Sequence, residues 1–246
     1  MTTTPLPRRL AAEAVGTAVL AAVLVGSGIQ ASGLSPDGGV RFLANVLASV
    51  LALAVLIALL APVSGAHFNP LVSAADWWSR RHDPAGPSTL ELGLYVLAQL
   101  GGAAAGVGLA NAMFERPFVQ LASQQRSSGH LWLAEGVATG VLILLVLGLL
   151  RSGRGRYAPV AVAAWIGAAC WGTSSGSFAN PALTFGRALS DSYTGIAPGS
   201  VPGFVLAQTA GATIGLALAT LLFGAPLPAA AAGRDSAQAV AAPVVT

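Results

Sequence analysis

The stretch at residues 64–70, Ser-Gly-Ala-His-Phe-Asn-Pro, constrains this chain most, because a related stretch, Ser-Gly-Ser-Phe-Ala-Asn-Pro, recurs at residues 175–181. In both copies Asn stands where a helix N-cap is favoured. Pro then takes the first helical position, where its missing N–H costs nothing. The two stretches therefore predict two helix starts.

The helices that begin at these Asn-Pro pairs are expected to be short. They are predicted from Pro70 to about Arg80 and from Pro181 to about Ser190. At about 1.5 Å per residue each would be on the order of 15 Å long, half of the roughly 30 Å of a hydrocarbon core. Two half-length helices in matching places favour two broken spans that meet at the membrane midplane, as in inverted-repeat membrane proteins.

The composition of the chain is typical of a membrane protein. Of 246 residues, 54% are hydrophobic and 9% are charged, none is Lys, and the mean hydropathy is +0.72. No cluster of Arg exceeds three residues, so no nucleic-acid partner is predicted. The single cysteine, Cys170, cannot form an internal disulfide.

Six apolar runs are long enough to cross a bilayer. They are residues 10–29, 42–61, 92–112, 131–150, 157–173 and 201–223. Pro62 is expected to end the second run. We therefore predict an all-α membrane protein with six transmembrane helices and two half-helices, in one membrane domain at residues 10–223. The polar segment 1–9 precedes this domain, and the Ala/Pro-rich tail 224–246 is expected to be disordered.

The chain divides into two related halves, repeat 1 at about residues 10–112 and repeat 2 at about residues 131–223. An acid, an Asn-Pro pair, a Gln and two Gly recur in the same order, namely Glu13, Asn69, Gln99, Gly102 and Gly106, matched by Glu135, Asn180, Gln208, Gly211 and Gly215. Three spans per half is an odd number, so the repeats are expected to be inverted. Gly pairs spaced four apart predict close helix packing.

The distribution of Arg predicts which side the termini face. With a cytoplasmic N-terminus, the inner segments hold eight Arg, which are Arg8, Arg9, Arg80, Arg81, Arg151, Arg154, Arg156 and Arg234. The outer segments hold four, which are Arg41, Arg116, Arg126 and Arg187. An excess of positive charge marks the cytoplasmic side. We therefore expect a multi-pass protein of the cell membrane with both termini in the cytoplasm.

The two Asn side chains predict what the midplane does. Each can cap its own helix with its oxygen and point a remaining N–H at a passing oxygen atom. Each half-helix N-terminus carries about +0.5 charge, which repels cations. The site therefore suits small neutral, hydroxylated solutes. In the alternative interpretation both Asn residues are only structural caps. That interpretation would explain a single motif, but it hardly explains two motifs that converge.

Two acids and one His lie where the membrane interior is expected. Glu13 and Glu135 could couple transport to protons, or their carboxylates could accept hydrogen bonds from the non-helical backbone before each half-helix. We favour the second interpretation, because backbone at that depth has no water to bind. His67 is interpreted as a structural donor. No spacing of His, Cys and acids indicates a metal site and no nucleophile is paired with a base, so neither a cofactor nor an enzyme activity is predicted.

These motifs and repeats make the sequence resemble the aquaporins, the family of major intrinsic proteins, over nearly all of residues 13–223. The signature of that family is two Asn-Pro-Ala boxes, which stand here as Asn69-Pro70-Leu71 and Asn180-Pro181-Ala182. The first box departs from the signature at its third position. The resemblance implies a homotetramer embedded in membrane lipid, in which each subunit has its own pore.

The resemblance also implies a selectivity filter. Most aquaporins have Arg directly after the second box, where this chain has Leu183. Gap-free alignment from the two Asn residues carries the other three filter positions onto Ser49, Ala168 and Ser177. All four residues are small or aliphatic, which predicts a wide filter that is poor in donors. A subset of aquaglyceroporins linked to arsenic resistance resembles this chain in having an aliphatic residue in place of the Arg.

Three functions remain open from the sequence. The first is a passive channel for water and larger neutral solutes, such as glycerol-like polyols or trihydroxylated metalloids such as arsenous acid (arsenite). The second is an ion-coupled secondary transporter built on inverted repeats, which would need titrating groups along its path. The third is a structural membrane protein whose pore is incidental.

Overall fold

Six long and two short α-helices make up the computed structural model, which describes residues 4–224. They are α1 (Leu6–Leu34), α2 (Gly38–Ser64), α3 (Pro70–Arg80), α4 (Thr89–Met113), α5 (Gly129–Arg151), α6 (Ala158–Gly172), α7 (Pro181–Arg187) and α8 (Val201–Phe223). The predicted all-α architecture of six long helices and two half-helices is confirmed for the described residues. Apart from Gly224, the tail expected to be disordered lies outside them.

Most helices begin or end within a few residues of their predicted bounds, and one prediction is wrong. Pro62 does not end α2 but lies inside its last turn, and the helix continues to Ser64. The stop comes instead from Gly65, which takes a left-handed conformation at φ 92° and donates its N–H to the carbonyl of Ala61. The first helix also begins earlier than expected, at Leu6.

The second half-helix is shorter than predicted. It ends at Arg187 rather than near Ser190, after seven residues. Among the long helices, α6 has 15 residues and is the shortest, whereas the other five are long and apolar enough to cross a membrane. A short 3₁₀ turn at residues 155–157 leads directly into α6 and lengthens that crossing.

Two helix pairs, α1 with α4 and α5 with α8, pack most closely, and glycine makes this approach possible. A Cβ added at Gly106 would lie 2.0 Å from the carbonyl oxygen of Ala18 in α1. In the second pair, a Cβ at Gly215 would lie 2.1 Å from the carbonyl oxygen of Gly140. The paired Gly are thus packing residues in both halves, in agreement with the sequence interpretation. Each repeat is built on one such pair.

We predict that Gly106→Ala destabilises the protein, because the new methyl group meets backbone that cannot move aside. The expected loss is roughly 1–3 kcal/mol of unfolding free energy, the usual effect of overpacking. It is measured as a lower midpoint of thermal unfolding in detergent. The matched control is Gly101→Ala, because a Cβ at Gly101 has nothing within 4 Å. Equal midpoints for the two variants would contradict the close approach of α1 and α4.

Candidate functional site

The N-termini of α3 and α7 are each capped by the Asn that sequence analysis singled out. The Asn69 side-chain oxygen accepts a hydrogen bond from the Leu71 N–H at 3.0 Å. The Asn180 oxygen accepts from the N–H groups of Ala182 and Leu183, at 2.9 Å and 3.2 Å. Both Asn residues have extended backbone, as N-cap residues do. The two Asn-Pro pairs therefore start two helices as predicted.

Each Asn amide also binds the opposite repeat. Asn69 Nδ2 donates to the carbonyl of Ala179 at 2.8 Å, and Asn180 Nδ2 donates to the carbonyl of Phe68 at 2.8 Å. This exchange joins the two half-helix starts directly, and sequence reasoning did not foresee it. Because an amide nitrogen carries two hydrogens, one N–H of each Asn is left for another acceptor.

The backbone just before each half-helix has an unusual conformation. Ala66 and Phe68 in the first copy have φ of 52° and 49°, and Ser177 and Ala179 in the second have 50° and 46°. Non-glycine residues in this left-handed region cost about 1–3 kcal/mol each. Equivalent residues share the conformation in both copies, so the surrounding structure must hold it.

Glu13 stabilises the first of these segments. Its carboxylate is fully buried and accepts hydrogen bonds from the N–H groups of His67 at 2.9 Å and Phe68 at 2.7 Å. The Ser64 hydroxyl and Gln99 Nε2 donate to the same carboxylate, at 2.7 Å and 2.8 Å. Four donors thus surround one buried acid, which satisfies its oxygens without water.

Glu135 does the same for the second segment. It is also fully buried and accepts from the N–H groups of Phe178 at 2.8 Å and Ala179 at 2.9 Å. Gln208 Nε2 donates to it at 2.6 Å and also reaches the Thr184 hydroxyl. The Gln that recurs in both halves is therefore a partner of the recurring acid.

A cavity of about 1360 Å³ extends past the meeting point of the half-helices. One end, beside the described chain ends, is lined by Thr4 and Arg80, and we call it the terminal mouth. The opposite end is lined by Arg126 and Thr194, and we call it the distal mouth. Neither Glu13 nor Glu135 lines this cavity, whereas both capping Asn residues and His67 do. His67 Nδ1 lies 3.0 Å from the Ser73 hydroxyl.

Three of the four predicted filter residues line the cavity, and the fourth does not. Ser49, Ser177 and Leu183 belong to its wall. Ala168 is exposed on the outer surface of α6 and is absent from the wall, so its assignment is corrected. Ile166 and Cys170 line the cavity in its place. A helix turns about 100° per residue, so an error of two residues points a side chain to the opposite face.

The remaining motif residues lie behind the cavity wall. Pro70, Leu71, Pro181 and Ala182 are absent from it. Pro70 and Pro181 occupy the first positions of α3 and α7, and Ala182 is fully buried. Replacement of Ala by Leu71 in the first box therefore changes the packing around α3 rather than the lining.

Sequence reasoning missed an aromatic and two cations at the distal mouth. The guanidinium carbon of Arg187 lies 3.2 Å from the ring centroid of Phe178, and that of Arg126 lies 5.1 Å from the same centroid. All three residues line the cavity. Both Arg had been used only to predict topology. For Arg187 the signal was its place one helical turn after Leu183 within the predicted second half-helix, whereas the sequence around Arg126, in the loop between α4 and α5, carries no such signal.

The loop that carries Arg126 is fixed to the segment that follows α7. The Ala197 N–H donates to the Gln124 carbonyl at 2.7 Å, and the Ser123 N–H and hydroxyl each donate to the Asp191 carboxylate at 2.9 Å. These hydrogen bonds lower the pKa of Asp191, with the backbone bond as the largest cause. Burial in this loop lowers the pKa of the Arg126 guanidinium.

Comparison with known proteins agrees with this architecture. The chain matches the model of the family described as major intrinsic protein over residues 1–172. It is 42% identical to the aquaglyceroporin AqpS of Rhizobium meliloti, over 87% of this chain and 89% of that protein. It is 29% identical to the glycerol uptake facilitator protein of Pseudomonas aeruginosa, over 72% and 75% of the two chains.

A solved structure shows the same fold. The X-ray structure of the aquaglyceroporin from Plasmodium falciparum superposes with a TM-score of 0.62 at 22% identity, covering 87% of this chain and 95% of that one. Together with the helices long and apolar enough to cross a membrane, these findings indicate a multi-pass membrane protein. The chain belongs to the major intrinsic protein family.

Proposed function

We propose that this protein is a passive membrane channel for water and for larger neutral solutes such as glycerol-like polyols. The observation that carries the proposal is Leu183, which lies in the cavity wall with Ser49 and Ser177. An aliphatic side chain three residues after Asn180 leaves space and brings no charge to that level. The names of the two relatives, an aquaglyceroporin and a glycerol uptake facilitator, support the same class of solute.

The two hydroxyls near Leu183 give the filter its hydrogen-bonding capacity. The side-chain oxygens of Ser49 and Ser177 are buried and have no hydrogen-bond partner among the described residues. In the described conformation neither oxygen is accessible, so each hydroxyl reaches a passing solute only when its side chain rotates about χ1 toward the cavity that the residue lines. A hydroxyl placed there both donates and accepts hydrogen bonds. Small hydroxyls beside an aliphatic wall match a polyol, which has hydroxyls on a carbon chain. A trihydroxylated metalloid such as arsenous acid offers the same outward chemistry and is proposed as a further solute.

The midplane excludes cations in this proposal. The N-termini of α3 and α7 meet there, and each contributes about half a positive charge. Asn69 and Asn180 both line the cavity, and in this proposal the second N–H of each amide points into it. A neutral solute can accept these hydrogen bonds, whereas a cation meets two positive ends.

The passive mechanism is favoured over an ion-coupled transporter because the two buried acids have structural partners. The oxygens of Glu13 and Glu135 are occupied by backbone N–H groups and by Gln side chains. Both carboxylates lie outside the cavity wall. A proton relay would need titrating groups along the path itself.

We further propose that the channel domain, residues 10–223, assembles as a homotetramer in the cell membrane with both termini cytoplasmic. One face of α2 carries apolar residues at every fourth position, all exposed in the monomer, namely Leu43, Leu47, Leu51, Val55 and Leu59. Such a face is suited to lipid or to a neighbouring subunit. Each subunit would conduct through its own cavity.

Leu183→Arg is expected to lower glycerol flux more than water flux, because a guanidinium narrows the filter and adds five donors and a charge. A reduction of about tenfold in glycerol flux corresponds to about 1.4 kcal/mol of added barrier. Stopped-flow light scattering on proteoliposomes measures both fluxes. Leu183→Met is the matched control, since it is similar in size and uncharged. A wild-type protein that passes water but no glycerol would refute the wide filter.

Asn69→Asp and Asn180→Asp should each increase the leak of Na⁺ and protons. The substitution replaces both amide N–H groups by a carboxylate, so the free donor, the bond to the opposite repeat and part of the positive potential are lost together. Ion-sensitive dyes in proteoliposomes report the leak. Asn111→Asp is the control, because Asn111 is buried but does not line the cavity. If either midplane variant leaks no more than that control, the midplane barrier is wrongly assigned.

Solute flux should follow the solute gradient and ignore a proton gradient. Radiolabelled glycerol uptake into proteoliposomes is expected to reach the same final level with and without an imposed pH difference. Accumulation above the outside concentration, driven by pH and abolished by Glu13→Gln or Glu135→Gln, would instead establish the coupled transporter.

A further inference from the structure

Arg187 is held in a defined position at the distal mouth. It is the last residue of α7 and is 8% exposed. Its Nε donates to the carbonyl of Thr194, and its guanidinium carbon lies 3.2 Å from the Phe178 ring centroid. A guanidinium over the face of an aromatic ring is stabilised by the negative charge of that face. The side chain is therefore fixed rather than free in solvent.

The charged end of Arg187 has no acidic partner. Among the described residues its terminal nitrogens make no hydrogen bond, and the salt bridges join other residues, Arg9 with Glu91 and Arg80 with Asp76. The Glu135 carboxylate is already occupied by two backbone N–H groups and by Gln208 Nε2.

Arg126 adds a second positive charge at the same place. Its Nε donates to the Gly195 carbonyl at 3.0 Å and its own N–H to the Ser200 hydroxyl, so the loop holds it in position. Its guanidinium shares the Phe178 ring with Arg187, and both side chains line the cavity. In the part of the chain that the structure describes, no acid forms a salt bridge with either guanidinium, so two cations stand at one mouth of the cavity.

The position of Arg187 relative to Leu183 determines which of the two a solute meets first. Arg187 stands four positions after Leu183, so it lies about 6 Å further along α7 on the same face. The N-terminus of α7 is at the midplane and its C-terminus points to the distal mouth. A solute arriving from that side therefore meets the two Arg residues first and the aliphatic constriction afterwards.

We propose that Arg187, with Arg126, forms a cation barrier at the distal mouth that replaces the charge absent from position 183. Set one turn outward, this barrier repels cations without narrowing the constriction at Leu183. Neutral polyols then pass a wide filter that is still protected electrostatically. The inference rests on the proposed function in that the cavity is the conduction path.

Cys170 provides a direct measurement of the potential in this mouth. It is the only cysteine of the chain, it lines the cavity, and it lies two residues before the end of α6. The full-length protein in lipid nanodiscs is treated with a negatively charged or a positively charged methanethiosulfonate reagent of similar size. Each rate is divided by the rate of the same reagent with a small free thiol, and the ratio of the two normalised rates reports the local potential.

The wild-type protein is expected to react at least about tenfold faster with the anionic reagent at low ionic strength, since a unit charge nearby contributes on that scale. Arg187→Gln should lower this ratio by about tenfold, and Arg187→Lys should retain it. Arg126→Gln should lower the ratio by a smaller factor. This variant tests the barrier even if Arg187→Gln does not fold. High salt should reduce the wild-type ratio.

Arg116→Gln is the matched control, since Arg116 lies on the same side but binds the Asp191 carbonyl and does not line this cavity. Its ratio should equal that of the wild type. A wild-type ratio near one, or an unchanged ratio in Arg187→Gln, would each overturn the barrier. The ratio of the two reaction rates does not depend on glycerol flux. A ratio near one would contradict the cation barrier, whereas absent glycerol flux would contradict the proposed function, so the two failures are distinguishable.

Discussion

The hydrogen bonds that the two Asn residues exchange hold the centre of this protein together. Asn69 binds the carbonyl of Ala179, and Asn180 binds that of Phe68, each at 2.8 Å. The same side chains cap α3 and α7, so one amide fixes both the start of its own helix and the position of the other. Because both contacts are made by equivalent groups, the two helix ends meet symmetrically. The cavity is therefore lined symmetrically at its midplane by the two Asn residues.

The two buried acids make that arrangement possible. Four non-glycine residues before the half-helices have positive φ, and without compensation their strain would favour a different path for the chain. Glu13 and Glu135 bind the N–H groups of these segments from behind, away from the cavity. A carboxylate that would be costly alone in lipid is therefore a structural support, and the strained backbone is held in one conformation.

Features that repeat in sequence were predictable, and features that depend on helix register or on tertiary position were not. The Asn-Pro pairs indicate helix starts, and the acids and Gly pairs recur in the same order in both halves. These local patterns were enough to predict the half-helices and the repeat. The prediction for Ala168 was wrong because irregular backbone separates α6 from the second box. A count of residues across that backbone does not preserve which face of α6 a residue lies on. Arg187 was missed because a charge near the end of a short helix resembles an ordinary surface Arg until its contacts with Phe178 and Thr194 are seen.

The exchange between the Asn amides has a consequence for biosynthesis. The bonded partners are 110 and 112 residues apart in the chain. During synthesis the first half-helix is made long before Asn180 leaves the ribosome, so the Phe68 carbonyl has no partner in its own half for that interval. Backbone groups are poorly tolerated in hydrocarbon without a partner. The first repeat alone therefore leaves this carbonyl without its native partner, and the two half-helix starts can join at the midplane only after the second repeat is made.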